Sequence, residues 1–344
     1  MLELDDPVDA FAKLEEYLAA EHFWDRQGVV ADLYLGYGLS EPLRRSGLPA
    51  PPEPCPLPLL ACQIRPVLET SHDPSSYEVG RWERTWDEDA YASAIEAVRA
   101  AIARGDVYQV NLVQHLAASF DGDPAGLAPA LLGLKPLHGR PLAGDDWTIV
   151  SASPERFLSR RGRQLVTLPI KGTRPAGQDV DAEKDSAEHM MIVDLERNDL
   201  SRVCEPGSIR WPELMVQQRL AGVTHLVSTV EGRLREDVSL SEILAATFPG
   251  GSVTGAPKIA ALDLIAALEP VGRGASMGAL GVVHPSGDFD LALTIRTFAV
   301  TEDRIHLWVG GGIVWDSEPE AEIEESWVKA RPLLASIGGA GVLQ

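Results

Sequence analysis

The chain is poor in cysteine, in positive charge and in long apolar runs, and each shortage closes off a class of function. Three cysteines, Cys55, Cys62 and Cys204, occur in 344 residues. Their spacing fits no metal-ligand pattern, and a sparse, odd set suits a reducing compartment. Lys and Arg number 30 against 51 Asp and Glu, for a formal net charge of −21. Phosphate backbones need a basic surface, so nucleic acid is excluded as an expected partner. A small anionic substrate is not excluded, because a bound divalent cation and a few placed Lys or Arg side chains can hold one. No apolar run approaches the ~20 residues of a membrane span, so no membrane partner is expected. The opening Met1-Leu2-Glu3-Leu4-Asp5-Asp6 has neither the basic nor the apolar part of a secretory signal, and a cytoplasmic location is expected. No fixed-period repeat is visible, which argues against a solenoid.

What is present is a globular composition, 45% hydrophobic, enough for one large domain or two ordinary ones. Residues 7–20 read as a helix with Ala10, Phe11, Leu14, Tyr17 and Leu18 on one face. A proline-dense stretch from Pro49 to Pro58 reads as a surface crossing. Residues 87–104 read as a second amphipathic helix, stopped by Gly105-Asp106, with a strand from Val107 to Leu112 after it. Residues 121–147 read as an excursion around a short helical piece, Leu127 to Leu134. From 148 onward strands and helices alternate densely, with several hairpins, which implies an α/β or α+β sheet sandwich.

Four strings stand out chemically. Gln164-Leu165-Val166-Thr167-Leu168 reads as a strand, and Pro169-Ile170-Lys171-Gly172-Thr173 breaks it where backbone and ligand can approach. A lysine at such a strand end is either solvated at a loop start or desolvated into a usable nucleophile. Asp185 and Glu188 lie three apart on a predicted helix, and Glu322, Glu325 and Lys329 form a stripe on another. Each set reads as a solvated helix face or, if the two helices meet, as oxygen donors for Mg²⁺. Phe248-Pro249-Gly250-Gly251-Ser252-Val253-Thr254-Gly255-Ala256-Pro257-Lys258 leads into a helix from Ile259 to Leu268, with Pro257 suited to its first turn. It reads as a tight turn or as an anion-binding backbone, and it lacks the ending of a nucleotide phosphate loop.

Taken together the strings resemble the chorismate-utilising enzymes, a family that includes anthranilate, aminodeoxychorismate, isochorismate and salicylate synthases. The matching segments are GDVYQVNL (105–112), SASPERF (151–157), PIKGTRP (169–175), EHMMIVDLERNDLSRV (188–203), THLVSTVEGRL (224–234), FPGGSVTGAPK (248–258), LTIRTF (293–298) and GGGIVWDSEPEAEIEES (310–326), in the family's order. The resemblance implies an α+β sandwich of two facing, mainly antiparallel sheets with outer helices and an active site in the cleft between them. It implies a shortened N-terminal region, 1–84, completing one sheet, a chorismate-binding catalytic region, 85–335, integrated with it, and a tail, 336–344.

Two positions point to the branch that aminates chorismate at C4. Gln109 stands where water-using members carry a lysine base, which suits ammonia, and Lys171 stands where anthranilate synthases typically have alanine. The resemblance assigns Lys171 as nucleophile, Glu155 as general acid and His225 to the C4 oxygen. It assigns Arg296, Lys329, Thr173, Gly250, Thr254, Gly311 and Gly312 to substrate binding, and Glu188 and Glu325, with Asp185 and Glu322 beside them, to Mg²⁺. No Gly-x-Cys-x-Gly elbow is present, so ammonia is expected from a separate glutamine amidotransferase subunit, with p-aminobenzoate and folate downstream. Anthranilate synthesis and a non-catalytic chorismate-binding paralogue are the alternative readings. Ser276 stands where relatives usually have tyrosine, which the resemblance reads as an enlarged pocket or a lost hydroxyl contact, and Ile323 stands where tyrosine or phenylalanine is common.

Overall fold

A computed structural model describes residues 1–67, 76–175, 184–220 and 223–338; the side chains of 171–175, 184–188, 218–220 and 223–225 lie outside the described set. The chain begins β1 (Leu2–Leu4), α1 (Ala10–Ala20), β2 (Val29–Leu35), β3 (Leu60–Pro66), β4 (Tyr77–Val79), β5 (Glu83–Arg84), α2 (Glu88–Arg104) and β6 (Gln109–Gly122). The middle runs α3 (Leu127–Leu131), β7 (Leu142–Ala143), β8 (Trp147–Ser151), β9 (Arg156–Arg161), β10 (Gln164–Thr167), β11 (Ile170–Pro175), α4 (Lys184–Ser201), β12 (Arg210–Leu220) and β13 (Val223–Arg233). The last third is α5 (Leu240–Thr247), β14 (Gly255–Ala256), α6 (Lys258–Leu268), β15 (Ala279–Val283), β16 (Phe289–Leu293), β17 (Thr297–Thr301), β18 (Arg304–Ile313) and α7 (Pro319–Ser336).

Among the described residues these strands make two sheets. One is ordered β1-β3-β2-β15-β16-β9-β10-β13-β11, with β12 also on β13; the other is β14-β6-β18-β17-β8-β7, with β4 and β5 on β6. The described pairings are antiparallel. Strands from residues 1–84 enter both sheets: β2 pairs with β15, and β4 and β5 pair with β6.

The second sheet is covered on both faces, and the two-residue period of a strand decides which side chain goes where. On β18, Ile305, Leu307 and Val309 join a cluster with Trp327, Leu333 and Leu334 of α7, while Trp308 turns the other way into the core between the sheets. On β6, Val110 and Leu112 meet Tyr91, Ile95 and Val98 of α2 and Ala261 and Ile265 of α6. Double coverage replaces polar–apolar alternation with a nearly continuous buried run, Gln109 to Ala118. The strand therefore continues well past Leu112, where the sequence pattern placed its end.

Helix α2 follows its signals closely. Asp87 caps it, accepting a bond from Ala90 N at 2.7 Å, and Gly105 closes it at φ +80°. Pro257 departs from expectation: it is the N-cap of α6, with an extended backbone, and the helix proper starts at Lys258. The proline-dense crossing docks on the loop after α6, where Pro52 O accepts from Gly272 N and Glu53 accepts from Gly274 N.

Candidate active site

The site residues that are described fall at three neighbouring places where β6, β18, α7 and the turn before α6 meet the loops of the first sheet. The first place is built on a glycine. A Cβ added to Gly311 would lie 3.4 Å from Lys329 Nζ and 3.5 Å from both Glu322 Oε2 and Glu325 Oε1. The α7 stripe read from the sequence thus converges over a β18 residue that has no side chain. Lys329 Nζ lies 2.8 Å from Glu325 Oε1 and donates to Gly310 O at 2.8 Å. Gln114 on β6 donates to Ser326 at 2.6 Å and fixes the helix against the sheet. Gly311 pairs with Leu112 and Gly312 with Asn111, so these glycines lie beside the segment that begins at Gln109.

The second place is the turn from Gly250 to Ala256. Gly255 and Ala256 pair with Val110 and Gln109, and Thr254 O accepts from Asn111 N at 2.9 Å. Gly255 has φ +135°, and a Cβ there would meet Gln109 O at 2.3 Å, so glycine is required by both conformation and space. The Thr254 hydroxyl donates to Gly250 O at 2.9 Å and accepts from Tyr37 OH at 3.3 Å. A Cβ on Gly250 would meet Leu293, Phe157 and Val253 side chains. Both residues therefore hold the turn's shape. Arg273 fastens it from behind, with two bonds to Glu269, one to Val253 O and one to Asn111 O, and it stacks 4.4 Å from the Tyr37 ring.

The third place is Glu155, just before β9, which is 6% exposed. Its Oε1 accepts from Ser252 Oγ at 3.0 Å and from Ile170 N at 3.5 Å, which ties it to the turn and to the start of β11. Arg296 joins β16 to β17 in a left-handed conformation, φ +51°, that costs a non-glycine residue on the order of 1 kcal/mol. Burial disfavours the Arg296 charge and Glu155 opposes that effect. Its side chain makes no hydrogen bond or ion pair with any described residue.

Lys171, Thr173, His225, Asp185 and Glu188 are positioned in the backbone only; their side chains lie outside the described residues. Lys171 is opposite Leu226 and Thr173 opposite His225, with the register shifting between them at Gly172. Among the described residues alone, no three His, Cys, Asp or Glu side chains assemble as a metal site. The two that are described, Glu322 and Glu325, are hard oxygen donors converging over Gly311, the chemistry Mg²⁺ takes. Ser276 is buried and donates to Thr294 O at 3.3 Å, and Ile323 is half-buried beside the α7 cluster.

Several important residues were not visible in the sequence reading. Arg273 and Glu269 are one. The other is a buried group behind Glu155: Thr167 donates to Glu196 at 3.0 Å, and Lys258 bonds Asp199 at 2.6 Å and Thr247 O at 3.2 Å. The available signal was phase. On α4, His189, Ile192, Val193, Glu196, Asp199 and Leu200 are all buried, so polar residues occupy core-facing helical positions.

Residues 56–335 match the chorismate binding enzyme family, and the chain belongs to it. Among individual relatives, aminodeoxychorismate synthase component 1 of Klebsiella aerogenes is 38% identical over 290 residues, covering 80% of this chain and 62% of that protein. Anthranilate synthase component 1 of Thermus thermophilus is 40% identical over 272 residues, covering 75% and 58%. The crystal structure of anthranilate synthase component I from Streptococcus pneumoniae superposes with a TM-score of 0.77 at 25% identity, covering 91% of this chain and 84% of that one. The expected α+β sandwich is the fold. The chain spans about three-fifths of the length of these curated relatives. Among the described residues no helix is long and apolar enough to cross a membrane.

Proposed function

We propose that the chain aminates chorismate at C4, using ammonia delivered by a separate glutamine amidotransferase subunit, to give 4-amino-4-deoxychorismate for p-aminobenzoate and folate synthesis. The observation that carries the choice of C4 is Lys171, in the Pro169-Ile170-Lys171-Gly172-Thr173 string of a chorismate binding enzyme. Relatives of both regiochemistries are similarly identical to the chain, so overall similarity does not decide between them.

In this reading the Lys171 amine attacks C2 as the double bond shifts and the C4 hydroxyl leaves. Glu155 gives that oxygen its proton and water departs. Ammonia then adds at C4 and displaces the lysine, so two easier displacements replace one hard one. Supporting the acid role, Glu155 is a buried carboxyl held in place by Ser252 Oγ and Ile170 N. Gln109, fully buried at the turn, cannot serve as a base for water. Arg296 and Lys329 grip substrate carboxylates, the former with a planar fork, while Gly311, Gly312, Gly250, Thr254, Thr173 and His225 complete the walls. Mg²⁺, when held by Glu188 and Glu325 with Asp185 and Glu322 beside them, supplies charge neutralisation for the ring carboxylate.

The test is product analysis with chorismate, Mg²⁺ and ammonium at alkaline pH, followed by a lyase specific for aminodeoxychorismate. The reading predicts p-aminobenzoate. Fluorescent anthranilate without the lyase contradicts C4 chemistry, and intact chorismate contradicts catalysis by the chain without its partner.

A further inference from the structure

A buried acceptor beside the Gly250–Ala256 turn finds no donor among the described residues. On β6, Val110 and Leu112 turn toward α2 and α6, and Val113 turns into the core between the sheets. The two-residue period of a strand therefore puts Gln109 and Asn111 on the inter-sheet face with Val113. Gln109 is fully buried and Asn111 is 8% exposed. Opposite Asn111 on β18 stands Gly312, which brings no side chain to that face.

The Asn111 backbone is fully engaged: its N donates to Thr254 O at 2.9 Å, and its O accepts from Arg273 Nη2 at 2.6 Å. The side chain is engaged on one side only. Nδ2 donates to Ser252 O at 3.4 Å, and Oδ1 accepts from no described residue. The Ser252 bond also fixes which way the amide faces, because turning it over would set two carbonyl oxygens against each other. A buried acceptor left open is rare in a folded protein and points to a donor that arrives with a ligand. Ser252 also carries the hydroxyl that donates to Glu155 Oε1 at 3.0 Å. One residue of the turn ties Asn111 to the carboxyl that acts at C4.

The donor that fits is ammonia. It has three N–H bonds and one lone pair, and it attacks when the N–H bonds are held and the lone pair faces carbon. A neutral amide oxygen holds an N–H without removing the proton, and it holds more strongly as the nitrogen gains positive charge. The same oxygen does not activate water, which needs a base. We propose that Asn111 binds the nucleophile: Oδ1 accepts an N–H of ammonia beside Gln109 and takes up the positive charge that develops as nitrogen bonds to C4. The proposal rests on the C4 amination argued above. In that step the ammonia lone pair forms the N–C4 bond, the ring double bonds shift back, and the C2–Nζ electron pair returns to Lys171. The ammonium so formed gives its extra proton to the Glu155 carboxylate that the first step left behind.

The experiment compares the wild type with Asn111→Leu, which keeps the branched shape and removes the amide, at one alkaline pH with Mg²⁺. At saturating chorismate, kcat/KM for ammonium should fall at least about tenfold. KM for chorismate should stay within about twofold. Mixed with chorismate and no ammonium, both proteins should gain the mass of chorismate less one water at equal rates, because the Lys171 adduct forms before ammonia is needed. An unchanged ammonium dependence overturns the proposal. So does an equal fall in adduct formation, which a purely structural Asn111 would give. Failure of the underlying reading looks different: a wild type that forms no adduct, or that makes anthranilate, removes C4 amination through Lys171 and the proposal with it. Asn111→Ala gives the same readouts should the Leu variant not fold.

Discussion

Two arginines at the candidate site have opposite surroundings. Arg273 is 3% exposed and fully bonded, to Glu269 through two nitrogens and to two backbone carbonyls. Arg296 sits on a left-handed residue and bonds to no described side chain or carbonyl. The first is a fastener that holds the Gly250–Ala256 turn on β6. The second is a half-buried guanidinium beside Glu155, on a residue whose backbone carbonyl accepts from Ala152 N at 2.9 Å. The same division runs through adjacent glycines. A Cβ on Gly310 would strike Leu112 O at 2.0 Å, whereas one on Gly311 would point among Lys329, Glu322 and Glu325. Arg273 and Gly310 are fixed by contacts within the fold, whereas Gly311 lies beneath the charged side chains of α7.

This contrast can be broken in graded ways. Arg273→Ala leaves Glu269 buried without its partner. Unfolding in urea should show a loss of about 3–5 kcal/mol, and a loss under about 1 kcal/mol would mean that the turn holds without its fastener. Arg296→Ala should lower kcat/KM for chorismate about a hundredfold, roughly 2.7 kcal/mol, with urea stability unchanged within about 0.5 kcal/mol. Equal losses of stability in both variants would erase the distinction.

A smaller effect concerns acid. His115 and His306 are buried 3.0 Å apart beside Trp308. Burial first, then the neighbouring positive charges, push them down to about 3 and about 4. Both are neutral in the fold, while the unfolded chain binds protons below about 6.5. Stability is therefore complete above pH 6.5 and falls as pH drops, by about 2 kcal/mol per imidazole at pH 5. Urea titrations at pH 7 and pH 5 should show that fall in the wild type and roughly half of it in His115→Gln; an equal fall in both would contradict it.

Much of this was legible in the sequence, for physical reasons that can be named. The α7 stripe of Glu322, Glu325 and Lys329 is a matter of helical spacing. That Gly311 lies beneath it is not, because it depends on how α7 packs on β18. Asp87 and Gly105 announce α2 because caps act locally. The full length of β6 was hidden because a strand buried on both faces has no alternation to read. Glu269 and Arg273 are four apart but separated by Pro270 and Gly272, so no helix rule pairs them; the turn they clasp brings them together. In sequence Glu196 is one more charge on an acidic helix, since burial of a carboxyl is a property of packing.

The central claim is the nucleophilic role of Lys171, and Lys171→Ala tests it most directly. With chorismate, Mg²⁺ and ammonium, formation of 4-amino-4-deoxychorismate should fall by roughly three orders of magnitude or more, while the variant unfolds in urea as the wild type does. The same product at an unchanged rate would contradict the account.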